Sequence, residues 1–228
     1  MFDMDGVLFD SMPNHAKSWF QTMHHYGLTD FTIDEAYMHE GRTGAGTINI
    51  VSNRMLGHDA TEQEIHDIYQ YKANLFNQMP IAPPMPGALP LLQKVVRAGI
   101  TPMVVTGSGQ KSLLTRLSTH FPGIFRPELM VTAFDVTHGK PDPEPYLIGM
   151  KKYNDYFHTS LSPDSFVVVE NAPLGIQSSV SAGVFTIAVN TGPLPDDILL
   201  AQGASLLFSS MQAFCDGFDN LLTKSLSS

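Results

Sequence analysis

The chain has 228 residues, 43% of them apolar, a net charge of −9 and one cysteine, Cys215. A single cysteine excludes an internal disulfide or a multi-cysteine metal site and fits a reducing cytoplasm. The acidic balance argues against a nucleic-acid partner, and no apolar run is long enough to call for a membrane.

The first motif, Asp3-Met4-Asp5-Gly6-Val7-Leu8-Phe9-Asp10, sets two carboxylates one residue apart beside a glycine able to turn the chain. An EF-hand loop is excluded, because its glycine stands sixth and a glutamate closes it, and neither holds here. Such a motif ends a buried strand, so a strand longer than Met1-Phe2 is expected before it.

Residues 11–86 read as helical. Ala16, Trp19, Phe20, Met23 and Tyr26 recur at helical spacing before Gly27. Thr43–Leu56 predicts a further helix stopped by Gly57, and Thr32-Ile33-Asp34-Glu35 and Thr61-Glu62-Gln63-Glu64 are spelled as capping boxes. Pro80, Pro83, Pro84 and Pro86 make a stiff return.

From Gly87 onward the pattern changes. Strands predicted over Thr101–Thr106, Leu129–Thr132, Ser165–Glu170, Thr186–Asn190 and Ser205–Phe208 alternate with helices over Leu89–Ala98, Lys111–His120, Pro143–Tyr153 and Gly175–Ala182. That alternation implies a doubly wound, Rossmann-like α/β unit, its parallel sheet covered on both faces. Reactive residues in such sheets gather beyond the carboxyl ends of the strands.

Three further motifs lie in this part. Val104-Val105-Thr106 runs into Gly107-Ser108-Gly109, a turn whose amides can face an anion. It matches neither the Walker nor the dinucleotide spacing, and Ser108-Gly109-Gln110-Lys111 lacks the companion motifs of β-lactamases. Lys140 is pinned between Gly139 and Pro141 ahead of a helix, where a plain surface lysine is the alternative. Glu170-Asn171 breaks an apolar run with two oxygen donors of the kind hard cations take. The nine histidines form no zinc spacing. His15, in the hinge, is placed to reach Asp5, with a local helix-start role as its alternative.

Together the four motifs, in this order and with helices between the first and second, resemble the haloacid dehalogenase superfamily, within it the β-phosphoglucomutase subgroup. The resemblance implies a core of residues 1–10 and 87–228 and an inserted helical cap of residues 11–86. It implies Asp3 as nucleophile and Asp5 as general acid/base. Thr106 and the amides of Gly107 and Ser108 would hold the phosphoryl group, and Lys140 would neutralise charge. Mg2+ would sit on Asp3, the Asp5 carbonyl, Glu170 and Asn171.

Two departures bear on the substrate. Asn171 stands where most of the family has a second carboxylate. Glu40 and Gly44 stand where the mutases place cations, which leaves Arg42 as the remaining cation of that cap loop. Glu40-Gly41-Arg42-Thr43-Gly44 and Glu170-Asn171-Ala172-Pro173-Leu174-Gly175 resemble the subgroup's inorganic pyrophosphatases. That implies a role for Glu40 in holding magnesium and for Glu40 and Arg42 in meeting substrate. The implied activity is magnesium-dependent phosphate hydrolysis, with pyrophosphate as first choice. A phosphohexose mutase and a phosphatase of small organic phosphates are the alternatives. Intact Asp3, Asp5, Thr106 and Lys140 count against a non-catalytic phosphate sensor.

Overall fold

The computed structural model describes residues 1–108 and 113–225. The chain opens in the middle of a sheet and turns sharply after Asp5, where Gly6 has φ +86° and the amides of Val7, Leu8 and Phe9 all point at the Met4 carbonyl. It then leaves the sheet through residues 8–10 and later returns along residues 83–85. The two passages run side by side, Asp10 N donating to Pro83 O (2.9 Å) and Met85 N to Leu8 O (2.8 Å).

Between these passages lie α1 (Met12–His25), α2 (Ile33–Met38), α3 (Gly44–Leu56) and α4 (Glu62–Asn77). They enclose an apolar cluster of their own, including Met23, Phe31, Ile48, Val51 and Ile68. Thr61 and Glu64 form the full capping box expected at the start of α4, and Gly57 ends α3 in the left-handed region at φ +80°. The Thr32 box is only half made. Thr32 accepts from Glu35 N, but the Glu35 carboxylate is taken by Arg54 at 2.6 Å, a charge-assisted pair stronger than a neutral amide contact.

The remaining elements follow as α5 (Ala88–Arg97), α6 (Leu113–His120), α7 (Glu144–Phe157), β1 (Val167–Glu170), α8 (Pro173–Ser181), β2 (Phe185–Val189), α9 (Asp196–Ala201), β3 (Leu206–Phe208) and α10 (Met211–Ser225). The strands pair in parallel in the order β1, β2, β3. On the other side of β1 the sheet continues through Phe2, then Val104 and Val105, then Val131, again in parallel.

Alternation along these strands divides the core. Phe2, Val104, Val169 and Ile187 face one way, against Leu91 and Val95 of α5 and Phe214 and Phe218 of α10. Met1, Met103, Val105 and Val168 face the other, against Tyr146 and Met150 of α7. This is the doubly wound core with an inserted helical cap.

Strands come out shorter than their apolar runs. Within Thr101–Thr106 the bridges fall at Val104 and Val105, with Met103 O and Thr106 N adding hydrogen bonds to Phe2 and Val131. Pro127–Leu129 and Pro163–Ser165 are single 3-10 turns that use up the starts of two other runs. Where the sheet is thinnest, Met1, Ile100, Met103, Phe166 and Phe185 line an apolar groove of about 590 Å3. The Met1 ammonium is buried there on Val167 O (2.6 Å), and burial lowers its pKa to about 5. Among the described residues no helix is long and apolar enough to cross a membrane.

Candidate active site

Asp3, Asp5, Thr106, Lys140, Glu170 and Asn171 come from four separate segments, and all are buried. They meet at the carboxyl edge of the sheet, beneath the loop joining α2 to α3. Lys140 Nζ donates to Asp3 Oδ1 (2.5 Å), to Glu170 Oε1 (2.6 Å) and to Val105 O (3.3 Å). Burial alone would lower its pKa, but the two carboxylates outweigh burial and hold the ammonium well above the usual lysine range. Asp3 responds the other way. Burial pushes it up to about 7, with Glu170 and Asp5 adding repulsion that Lys140 only partly offsets. Its second oxygen, Oδ2, is buried and has no hydrogen-bond partner among the described residues.

Glu170 has three hydrogen-bond partners. Oε1 also accepts from Tyr146 OH (2.6 Å), and Oε2 accepts from Asn171 N (3.1 Å). The expected metal-facing pair therefore divides in two. Glu170 holds Lys140, whereas Asn171 Oδ1 is buried and has no partner among the described residues. Gly6 packs against the amide nitrogen of Asn171, where a Cβ would stand 2.1 Å from Nδ2, so the oxygen is the end left open.

Asp5 draws its partners from the hinge and cap. Ser11 Oγ donates to its Oδ1 (2.5 Å), and His15 Nε2 faces the same oxygen at 3.5 Å. Lys72 Nζ, on α4, donates to His15 Nδ1 (2.9 Å), which sets the imidazole proton on Nε2, toward Asp5. Burial would raise Asp5, but His15, Ser11 and Arg116 outweigh it and hold the carboxyl near 2. His15 lies below its ordinary range through burial and the Lys72 charge. Lys72 is buried between Trp19 and Phe76, and burial lowers it to about 8.

The cap loop rests directly on this centre. Gly41, at φ +84°, packs on the Lys140 stem, where a Cβ would come 2.9 Å from Cδ, and its carbonyl lies over Gly107. Glu40 is half-buried and lines, with Tyr37, Asn171 and Asn190, a residual cavity of about 10 Å3. Its pKa is raised well above normal by burial and by Asp5 and Asp3, against the pull of Lys140. Arg42 lines an open cleft of about 570 Å3 with Thr43, His138, Gly139 and Lys140, its Nε buried and without a partner among the described residues. In the phosphate turn, Ser108 N is occupied by Thr106 Oγ1 (3.0 Å) rather than left open for an anion. Gly109 and Lys111 fall outside the described residues.

Sequence reading missed Ser11, Lys72 and Tyr146. Lys72 had a signal, since it follows Ile65 and Ile68 and precedes Phe76 at helical spacing, on the buried face of α4.

The sequence profile described as "Haloacid dehalogenase-like hydrolase" matches residues 1–189. The chain belongs to this family. The hydrolase is 31% identical over 214 residues to "Hexitol phosphatase A" of Escherichia coli, covering 93% of this chain and 90% of that one. It is 28% identical over 209 residues to "Phosphorylated carbohydrates phosphatase" of Thermotoga maritima, covering 91% and 92%. Among solved structures, "Putative beta-phosphoglucomutase from Bacteroides vulgatus" superposes with a TM-score of 0.91 at 58% identity, covering 97% of this chain and 87% of that one. The β-phosphoglucomutase-like subgroup is thus supported. The names of these relatives give no support to pyrophosphate and agree better with small organic phosphates.

Proposed function

We propose that this hydrolase is a phosphatase of small phosphorylated compounds, with residues 11–86 as its cap and Asp3 as its nucleophile. One observation carries the reading: a buried carboxylate is clamped at Oδ1 by Lys140 while Oδ2 has no hydrogen-bond partner among the described residues. Oδ2 attacks phosphorus as the bond from phosphorus to the leaving oxygen breaks, that oxygen departs with a proton from Asp5, and the Asp3 carboxylate becomes an acyl phosphate, while Lys140 offsets charge on both reactants. Water then hydrolyses that linkage. Asp5, ionised at rest, takes the proton of that water. For the first half it must be protonated, and an incoming phosphate favours this by raising its pKa through like charge.

The donor set fits a magnesium ion. Asp3, the Asp5 carbonyl and Asn171 Oδ1 are oxygen donors, and Asp3 and Glu40 are raised by burial and further by neighbouring carboxylates, whose repulsion a divalent cation relieves. No cluster of three or more His, Cys, Asp or Glu residues able to hold a metal occurs among the described residues, so part of the coordination would fall to water and substrate phosphate. Bound there, magnesium would neutralise phosphoryl charge.

Sugar phosphates are the favoured substrates, in keeping with the relatives. A second reading, pyrophosphate, is favoured by Glu40, an acidic residue set over Asp3 and Asp5 where a bare phosphate would be repelled. Phosphate release from sugar phosphates, pyrophosphate and nucleotides, measured with and without magnesium, separates these readings. Efficient interconversion of glucose 1-phosphate and glucose 6-phosphate would show a mutase instead, and no turnover of any of them would end the proposal.

A further inference from the structure

Arg116 stands on α6, the helix that follows the phosphate turn, and its guanidinium lies 4.3 Å over the ring of Phe9. Phe9 belongs to the first motif and is completely buried. Two guanidinium nitrogens of Arg116, Nε and Nη2, are themselves buried with no hydrogen-bond partner among the described residues. Of the other cations at this centre, Lys140 is engaged with Asp3 and Glu170 and Lys72 with His15, whereas Arg42 of the cap loop has one buried nitrogen, Nε, without a hydrogen-bond partner among the described residues. Arg116 is close enough that its charge is felt by both Asp5 and His15.

Orphaned donors on a fixed charge carry a desolvation cost that an oxyanion offsets. Helical side chains lean toward the N-terminus of their helix, which for α6 is the side of the Thr106–Ser108 turn. The transferred phosphoryl group already has Lys140 and that turn, so the free guanidinium fork is left for a different group on the same molecule. We propose that Arg116 binds a second anionic group, a carboxylate or phosphate, at the non-reacting end of the substrate. The planar fork of parallel N–H donors matches either oxyanion. The inference rests on the phosphatase reading and narrows it to substrates with two anionic groups, gripped from the core rather than from the cap.

The test uses ethyl phosphate, phosphoglycolate and pyrophosphate, which present no second anion, a carboxylate and a phosphate respectively. Binding is measured by calorimetry in Asp3→Asn protein, where turnover does not interfere, and kinetics are measured in the parent. Arg116→Met keeps an apolar stem over Phe9 and removes the charge, and its thermal melting shows whether it folds. Expected is a loss of ~10-fold or more in affinity for the dianionic ligand that binds, with ethyl phosphate unchanged. KM should rise while kcat holds, and Arg116→Lys should restore affinity only in part. The idea fails if neither phosphoglycolate nor pyrophosphate binds tighter than ethyl phosphate, or if Arg116→Met weakens all three alike. A parent that hydrolyses nothing would instead end the phosphatase reading, and the binding data would still decide the role of Arg116.

Discussion

Asp3 and Asp5 are one residue apart and live in opposite settings. The hydrogen-bond partner of the Asp3 side chain among the described residues, Lys140, belongs to the sheet unit, and with Glu170 and Tyr146 it forms a buried, mutually fixed set. Asp5 instead leans on the hinge, through Ser11 and His15, and on a cap helix, through Lys72. Burial dominates at the first carboxyl and raises it to about 7, while partner charges and hydrogen bonds win at the second and hold it near 2. The hinge and cap thus reach Asp5 through side chains, whereas the cap loop bears on Asp3 through Gly41 on the Lys140 stem and through the nearby charge of Glu40. Two like residues acquire two tasks from their neighbours.

Breaking the fixed side should cost most. Asp3→Asn should lower turnover by ~10⁴-fold or more with the fold retained, because an amide cannot attack phosphorus. Retention of a tenth of parental activity would falsify the nucleophile assignment. Asp5→Asn should cost ~10²–10³-fold, and less for substrates with good leaving groups. Equal losses across a leaving-group series would remove the acid role. Glu40→Ala tests the lid over both carboxylates. If pyrophosphate is the substrate, this variant should need ~10-fold more magnesium and hydrolyse it more slowly, since a charged oxygen ligand is gone. Unchanged magnesium dependence and rate would point to sugar phosphates.

The smallest effect sharpens the cap side. Native Lys72 releases its proton near pH 8, and the unfolded chain holds its own to about 10.5. Between those values the unfolded state binds more protons, so rising pH stabilises the parent, and Lys72→Met lacks that gain. Denaturant melts of both proteins from pH 8 to 10.5 should show the parent gaining ~1–3 kcal/mol relative to the variant. A constant difference would place Lys72 in solvent.

Much of this was legible from spelling alone. Asp3, Asp5, Lys140 and Asn171 are held by local geometry, a turn at Gly6 and a lysine between glycine and proline, and local geometry is what short motifs record. The helices also came through, since α1, α3 and α4 carry their stops and caps with them. What stayed hidden depends on distance along the chain. Lys72 meets His15 across 57 residues, and Tyr146 meets Glu170 across 24. Glu170 itself was read from its type as a cation ligand. Only the fold shows that one of its oxygens is shared between Lys140 and Tyr146.

Gly175 sits in the first turn of α8, and a side chain there would collide with Glu170, with Oε1 only 2.0 Å from the missing Cβ. That empty position lets the carboxylate settle into the mouth of the helix, where the aligned peptide dipoles present their positive end. The anion steadied there anchors Lys140, and Lys140 in turn holds one oxygen of Asp3. A methyl group added to α8 would thus disturb the nucleophile at third hand, by displacing the countercharge on which its lysine rests.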